Sequence, residues 1–468
     1  MKEKKKKTFA ISRDVYTAVR LITSAIVLLV MIFVGQGAVT FCLGLFADGD
    51  HVVRLPGQES PVVSLESDTD ALKPIPIDPS QLVEVTRANI AVAGDVMLHM
   101  PIVRSVQTAE GYSFDGIFTF IQPYVCAADY AVANLETTLS GTDKHEYTGY
   151  PDFNSPDQIA ASAGRTGFDM LLTGNNHCYD YGTDGLQRTL RTLAAQNLAT
   201  LGTMAGREDS RHTIQTIGGV RVGMISYTFG TIDENGNVIL NGHTAAGEAA
   251  GLINVFDYGR LGQFYTEIDG EIAAMRANGA DAVIVYLHWG DDYSAKVSED
   301  QKAIAQKLCD LGVDVIVGSH PHVIQPVDIL SSTVDPGHTT LCLYSLGNFL
   351  SNQRADNISL TTGHSEDGLL FTFTLSKYND GSVRVSAVKA LPTWVLVRGT
   401  GDNREFSILP LDQSITGWQS TFGLSDAQLE SANNSYNRTM ALISTGLEKV
   451  TAHLAELNGA LDPSLGVG

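Results

Sequence analysis

From Asn89 onward the chain alternates between short apolar runs and longer stretches with apolar residues at helical spacing. The runs are Ile90–Val92, Tyr130–Ala133, Met170–Leu172, Val222–Tyr227, Ala282–Leu287, Val313–Val317 and Leu341–Tyr344. Between them, Asp184–Gln196, Phe264–Asn278 and Ser298–Leu311 read as helices. Near-continuous apolar strands separated by helices predict an α/β domain with a largely parallel sheet, because strands covered on both faces need no polar alternation. Gly368–Leu375 and Ser382–Val388 alternate more clearly and read as antiparallel strands. Residues 401–468 are predicted to form a polar C-terminal extension with a helix near Asp426–Leu457.

The first 88 residues follow another pattern. Residues 1–20 form a basic tail, and Leu21–Phe46 is a run of 26 residues without a charge. At about 1.5 Å per residue this run exceeds a hydrocarbon core of roughly 30 Å. A cleaved signal peptide would have a shorter apolar region and a small-residue cleavage site. The expectation is therefore one transmembrane helix, residues 21–46, with the Lys-rich N-terminus cytoplasmic and the main domain outside the cell membrane. Residues 47–88, rich in Pro, Asp, Ser and Glu, read as an extracytoplasmic linker.

Charge narrows the functional classes. The chain carries a net −21, yet residues 1–47 hold seven Lys/Arg and two acids, leaving 24 basic against 50 acidic side chains, net −26, in the remainder. Such a body repels nucleic acid. It also repels a polyanion unless cations or a local basic patch intervene. The five cysteines lack C-x-x-C spacing, which gives no support for a zinc ribbon, and their apolar surroundings predict buried free thiols.

The chemistry lies where the strands end. In open α/β sheets ligands bind beyond the carboxyl ends of strands. Here those ends carry Asp95, Glu136, Asn176 with His177, His288, His320 with His322, and Asn348. Carboxylate, amide and imidazole donors suit Mn, Fe or Zn, and histidine favours the transition metals. One Gly-Asp strand end is an ordinary turn, and one histidine beside a tryptophan is usually structural. The ordered set within one α/β frame is what points to a metal centre.

At these positions the sequence resembles the CapA-type poly-γ-glutamate capsule-synthesis family of the calcineurin-like metallophosphoesterase superfamily. The matching stretches are Gly94-Asp95-Val96-Met97-Leu98, Asn134-Leu135-Glu136, Gly174-Asn175-Asn176-His177 with Asp180 and Gly182, His288-Trp289-Gly290, Gly318-Ser319-His320-Pro321-His322-Val323-Ile324-Gln325, and Tyr344-Ser345-Leu346-Gly347-Asn348-Phe349. The resemblance covers about residues 89–395 and implies a metallophosphoesterase-like four-layer α-β-β-α sandwich, placed at residues 89–400. It implies one or two divalent metal ions. Asp95 and His322 would hold the first, Glu136 would bridge, and Asn176, His288 and His320 would hold the second. His177 would be the general acid and Asp180 its partner. Met97 stands where phosphoesterases of this superfamily usually have histidine, so the first metal would have fewer protein donors.

Two functions follow. One is a metal-dependent hydrolase in capsule or cell-surface polymer biosynthesis, with metal-bound water, His177 as acid, and an anionic polymer or phosphoester as substrate. The other is a non-catalytic, membrane-anchored assembly or polymer-transfer subunit beside a synthase or export complex. Neither involves nucleic acid.

Overall fold

The computed structural model describes residues 82–412 and 414–461. The apolar run 21–46, the basic tail and most of the linker lie outside the described residues. Among the described residues no helix is long and apolar enough to cross a membrane.

Two sheets form the frame. β1 (Glu84–Val96), β2 (Tyr130–Leu135), β3 (Met170–Leu172) and β4 (Ala199–Leu201) run parallel as neighbours in the first. The second opens with an antiparallel hairpin, β5 (His212–Ile217) and β6 (Val220–Phe229). It continues through β7 (Val255–Phe256), β8 (Ala282–His288), β9 (Val315–Ser319), β10 (Val327–Ser331) and β11 (Thr339–Leu343), in the order β7-β6-β8-β9-β11-β10. The chain then returns to the first sheet. β12 (Asn348–Leu350) pairs with the end of β1, and β13 (Asp367–Tyr378), β14 (Val383–Arg398) and β15 (Glu405–Pro410) extend it antiparallel.

The period-2 geometry of strands explains the layers. Along β1, Ile90 and Val92 face the second sheet, joining Val222, Met224, Ile284, Tyr286 and Phe371 in one core. Ala91 and Ala93 face the other way, where Ile159, Ala160 and Ala163 of α1 (Gln158–Thr166) pack. β8 does the same: Ile284 and Tyr286 point inward. Its Val283, Val285 and Leu287 meet α3 (Leu261–Ala277) and α4 (Glu299–Asp310). α2 (Gly182–Ala194) adds Leu193 to the α1 layer. Helix, sheet, sheet and helix therefore stack in that order, and strands buried on both faces are apolar throughout. α4 begins at a capping box, Ser298 with Gln301, which satisfies two otherwise unpaired backbone donors.

Several expectations need adjusting. The first strand starts at Glu84, inside the predicted linker, because Ala88 already sits in the inter-sheet core. The expected antiparallel stretches 368–375 and 382–388 correspond to β13 and β14, and both sheets are more mixed than expected because β15, β5 and β10 also pair antiparallel. The segment after residue 400 joins the sheet: Phe406 and Ile408 of β15 alternate into the α1-side core. α5 (Asp426–Leu461) reads as polar, yet Ile443, Val450 and Leu454 form a helical stripe against the inter-sheet core. Cys178, Cys309 and Cys342 are buried free thiols, but Cys126 is exposed. It follows the short helix Gln122–Val125, which turns Val125 inward and Cys126 outward.

Candidate metal centre

The strand ends of both sheets converge on one site. Asp95 ends β1, opposite Asn134 of β2 in the parallel register. Close approach there requires Gly94, where an added Cβ would lie 1.9 Å from the Gly347 carbonyl oxygen. Gly318 has the same role in the second sheet, 1.9 Å from the Tyr344 carbonyl oxygen.

Asn134 ties the acidic side together. Its Nδ2 donates to Asp95 Oδ1 at 2.7 Å and lies 3.3 Å from Glu136 Oε2. Asn175 Nδ2 donates to Asn134 Oδ1 at 3.1 Å and to the Leu135 carbonyl at 2.9 Å. Glu136 is wholly buried. Its Oε1 has no hydrogen-bond partner, and it stands 3.4 Å from His288 Nε2 and 3.8 Å from His322 Nε2.

The imidazoles come from the second sheet. His288 Nδ1 pairs with Ser319 Oγ at 2.9 Å, and its Nε2 with Asn176 Oδ1 at 2.8 Å. His322 Nδ1 lies 3.1 Å from Asp95 Oδ2. His320 is buried with Nδ1 unpartnered. His320 and His322 have φ of 96° and 56°, in the region that side chains other than glycine rarely enter.

Electrostatics favour a mixed-charge cluster. Burial alone would raise the Glu136 carboxyl, but His288 and His322 outweigh it and hold the group below the usual carboxylate range. Burial alone would lower His322, but Glu136 and the hydrogen bond its Nδ1 donates to Asp95 raise it to about 9. Burial, then His288 and His322, drive His320 well below its ordinary value.

The predicted ligands Asp95, Glu136, His288, His320 and His322 thus share one site, with Asn176 on His288. The groupings Asp95/Glu136/His322 and Glu136/His288/His320 each bring donor atoms within 4.8 Å of one another and could hold a cation. The orphaned Glu136 Oε1 and His320 Nδ1 fit that reading, because buried polar atoms without partners are costly. His177 lies beside the cluster, its Nδ1 2.8 Å from Asp180 Oδ2. Asp180 also accepts from the Phe153 amide at 2.8 Å and from Asn241 Nδ2 at 2.9 Å. Asn348 does not join the donors: its Nδ2 donates to Gln353 Oε1 and to the Ser365 carbonyl, both at 2.9 Å.

Sequence reasoning missed three residues. Asn134 was legible, since it shares a strand face with Glu136 two residues on. Asn241 sits on a hairpin between Val238–Leu240 and His243–Ala245, and nothing local in the sequence connects it to His177. Asp292 follows the His288-Trp289-Gly290 stretch in a pair of acids, a weak signal; its Oδ1 lies 3.5 Å from His320 Nε2 and 4.0 Å from His322 Nε2. Two clefts flank the cluster. One, of about 450 Å³, is lined by His99, Tyr150 and Tyr293; the other, of about 440 Å³, by Asn176, Asn241 and Asp292.

Comparison with known proteins adds the family. The Bacillus anthracis capsule biosynthesis protein CapA is 28% identical over 291 residues, 61% of this chain and 65% of that protein. The Bacillus subtilis (strain 168) PGA biosynthesis protein CapA is 26% identical over 298 residues, 63% of this chain and 70% of that protein. The chain thus spans just under two thirds of the first relative and a little more of the second. Among solved structures, the Thermus thermophilus sulfate thiohydrolase SoxB in complex with glycerol aligns with a TM-score of 0.35 at 14% identity, covering 74% of this chain and 49% of that one. A family model described as bacterial capsule synthesis protein PGA_cap matches residues 89–353, which hold every donor of the cluster, and the chain belongs to that family.

Proposed function

We propose that the chain acts in the biosynthesis or export of a capsule or cell-surface polymer of the poly-γ-glutamate type, as a metal-dependent hydrolase built on a metallophosphoesterase-like sandwich. The observation that carries this reading is Glu136: wholly buried, its Oε1 without a partner and facing two imidazole nitrogens at 3.4 and 3.8 Å. Asp95, Glu136, Asn176, His288, His320 and His322 would hold one or two ions of Mn, Fe or Zn. When bound, such ions supply Lewis-acid polarisation and water activation.

The chain's own groups supply the rest. His177 gives Nδ1–H to Asp180, which would stabilise the imidazolium form whose Nε2–H delivers a proton to the departing oxygen or nitrogen. Asp180, itself held by the Phe153 amide and Asn241, fixes the imidazole tautomer and ring direction. Phe153 packs edge-on against His177, with ring centroids 4.8 Å apart, and shields it from water. Candidate substrates are an anionic polymer or a phosphoester; bound cations would offset the repulsion from an acidic body. The apolar run 21–46 would anchor the domain to the cell membrane, facing outward, beside a synthase or export complex.

The test uses the full chain loaded with Mn(II), Fe(II) or Zn(II), assayed on a chromogenic phosphodiester and on poly-γ-glutamate. Hydrolysis should fall about 10²–10⁴-fold in His177→Ala with cation content unchanged. Wild-type rates in both His177→Ala and His288→Ala would end the catalytic reading. Met97 favours a second one, a non-catalytic assembly subunit, because a thioether is a poor donor for these ions. In that case a His288→Ala strain would still display polymer at the cell surface.

A further inference from the structure

Asp292 has the placement of a ligand without having been one of the expected donors. Its carboxylate is 60% exposed, yet its polar neighbours are the two buried imidazoles, His320 Nε2 at 3.5 Å and His322 Nε2 at 4.0 Å. Donors held about 2.0–2.2 Å from one ion stand roughly 3–3.5 Å apart, somewhat more before the ion draws them in. The separations His288 Nε2 to Glu136 Oε1 (3.4 Å), Glu136 Oε1 to His322 Nε2 (3.8 Å), His322 Nε2 to Asp292 Oδ1 (4.0 Å) and Asp292 Oδ1 to His320 Nε2 (3.5 Å) form a chain of that scale, and Asp292, His320 and His322 offer donor atoms within 4.8 Å of one another.

The loop that carries Asp292 is fixed at several points. Trp289 donates its ring N–H to the Tyr344 carbonyl at 2.9 Å. The Gly290 amide donates to Tyr258 Oη at 2.8 Å. The Tyr293 amide donates to the Pro321 carbonyl at 2.8 Å, pinning the residue after Asp292 between the two histidines. Tyr293 Oη accepts from Gln353 Nε2 at 3.1 Å. One buried polar atom of the same set, Glu136 Oε1, lacks any partner, which independently points to a ligand at this place. Met97, buried and without a donor for such an ion, leaves the set one group short.

We propose that Asp292 is a further ligand of the cation, a carboxylate that adds a donor from the solvent side and makes up for the missing donor at Met97. This rests on the metal-centre reading given above. A carboxylate open to the 440 Å³ cleft can also detach and rebind, so it is the donor that an incoming substrate oxygen would displace.

The experiment is titration of the metal-free full chain with Mn(II), by calorimetry and by electron paramagnetic resonance of free Mn(II). It compares wild type with Asp292→Ala, Asp292→Asn and Asp292→Glu. Wild type should bind the ion. Asp292→Ala should bind it at least tenfold more weakly, Asp292→Asn should fall between, and Asp292→Glu should recover part of the loss. Thermal melts of the metal-free proteins should coincide, because an exposed side chain is being changed. Wild-type affinity in Asp292→Ala would overturn the proposal and leave the metal centre standing. Failure of the wild-type chain to bind Mn(II), Zn(II) or Fe(II) at all would overturn the metal centre itself.

Discussion

The two sheets contribute unlike halves to the centre. The first gives carboxylates and amides from the ends of β1, β2 and β3, none of them at positive φ although β1 bulges at Asp95, cross-tied through Asn134 and Asn175. The Glu136 amide continues the strand pairing, donating to the Val96 carbonyl at 3.0 Å. The second gives His288 from the end of β8 and His320 and His322 from a loop under strain. Five non-glycine residues among those described have positive φ, and three of them, Tyr293, His320 and His322, lie here. Such conformations cost about 1–3 kcal/mol each and persist only where surrounding structure imposes them. The acidic half is thus organised without a ligand, while the imidazole half gains most from one.

The largest effect should come from the acidic half. Glu136→Ala removes the carboxylate that faces both His288 and His322, so the Mn(II) content after dialysis should drop to background. His322→Ala should lose less. Elemental analysis of the two variants reads this directly, and equal retention would erase the distinction between the halves. Next is the support of the imidazole half. Trp289 is fully buried and hydrogen-bonded to the Tyr344 carbonyl. Trp289→Ala should cost about 3–5 kcal/mol in urea unfolding. It should also weaken Mn(II) binding, since the Asp292 loop and the His288 strand end meet there. A stability loss with unchanged affinity would mean that the imidazoles are positioned without it.

The same contrast explains what could be read from the chain alone. The apolar runs of β1, β2, β3, β6, β8, β9 and β11 were legible because strands buried on both faces leave no polar interruptions. Their terminal donors were legible because α/β sheets gather them at one edge. The antiparallel extension was only half visible: Gly368–Leu375 and Ser382–Val388 alternate, but β15 lies in a polar stretch and is recognisable only once β14 is there to pair with it. Asp292 and Asn241 were not legible for a related reason. Their roles come from contacts 28 and more residues away in sequence, to His320 and His177, and local pattern carries no trace of such approaches. The backbone strain at His320 and His322 was equally invisible, because only a small minority of histidines take positive φ and nothing local marks which ones do.

A smaller effect should sharpen the picture of strain. Saturating cation at about 100 times its Kd should stabilise the fold by about 2.7 kcal/mol. Hydrogen exchange should show where that stabilisation goes. Amides of 289–293 and 319–323 should slow markedly on adding Mn(II), and those of 93–96 and 133–136 much less. Uniform slowing across both sets would show the acidic half to be just as dependent on the ion.

The smallest effect concerns His99, which lies just beyond β1 at the acidic half and feels the imidazoles of the other. Burial, then His322, lowers its pKa to about 4. The Asn352 amide approaches its Nδ1 at 3.4 Å, a contact that requires an unprotonated nitrogen. The unfolded chain would protonate His99 near 6.5, so unfolding takes up a proton between that value and 4. The stability it supports is present in full above pH 6.5, is down by roughly 1 kcal/mol at pH 6, and drains further until pH 4. A cation bound nearby pushes in the same direction. His99→Gln should therefore flatten the fall of unfolding free energy between pH 6.5 and 4 relative to wild type, and the His99 ring resonances of the wild-type chain should titrate near pH 4. A midpoint near 6.5 would mean that neither burial nor the imidazole half acts on His99; a midpoint that stays near 4 in His322→Ala would mean that burial alone sets it and the two halves are electrostatically separate at this edge.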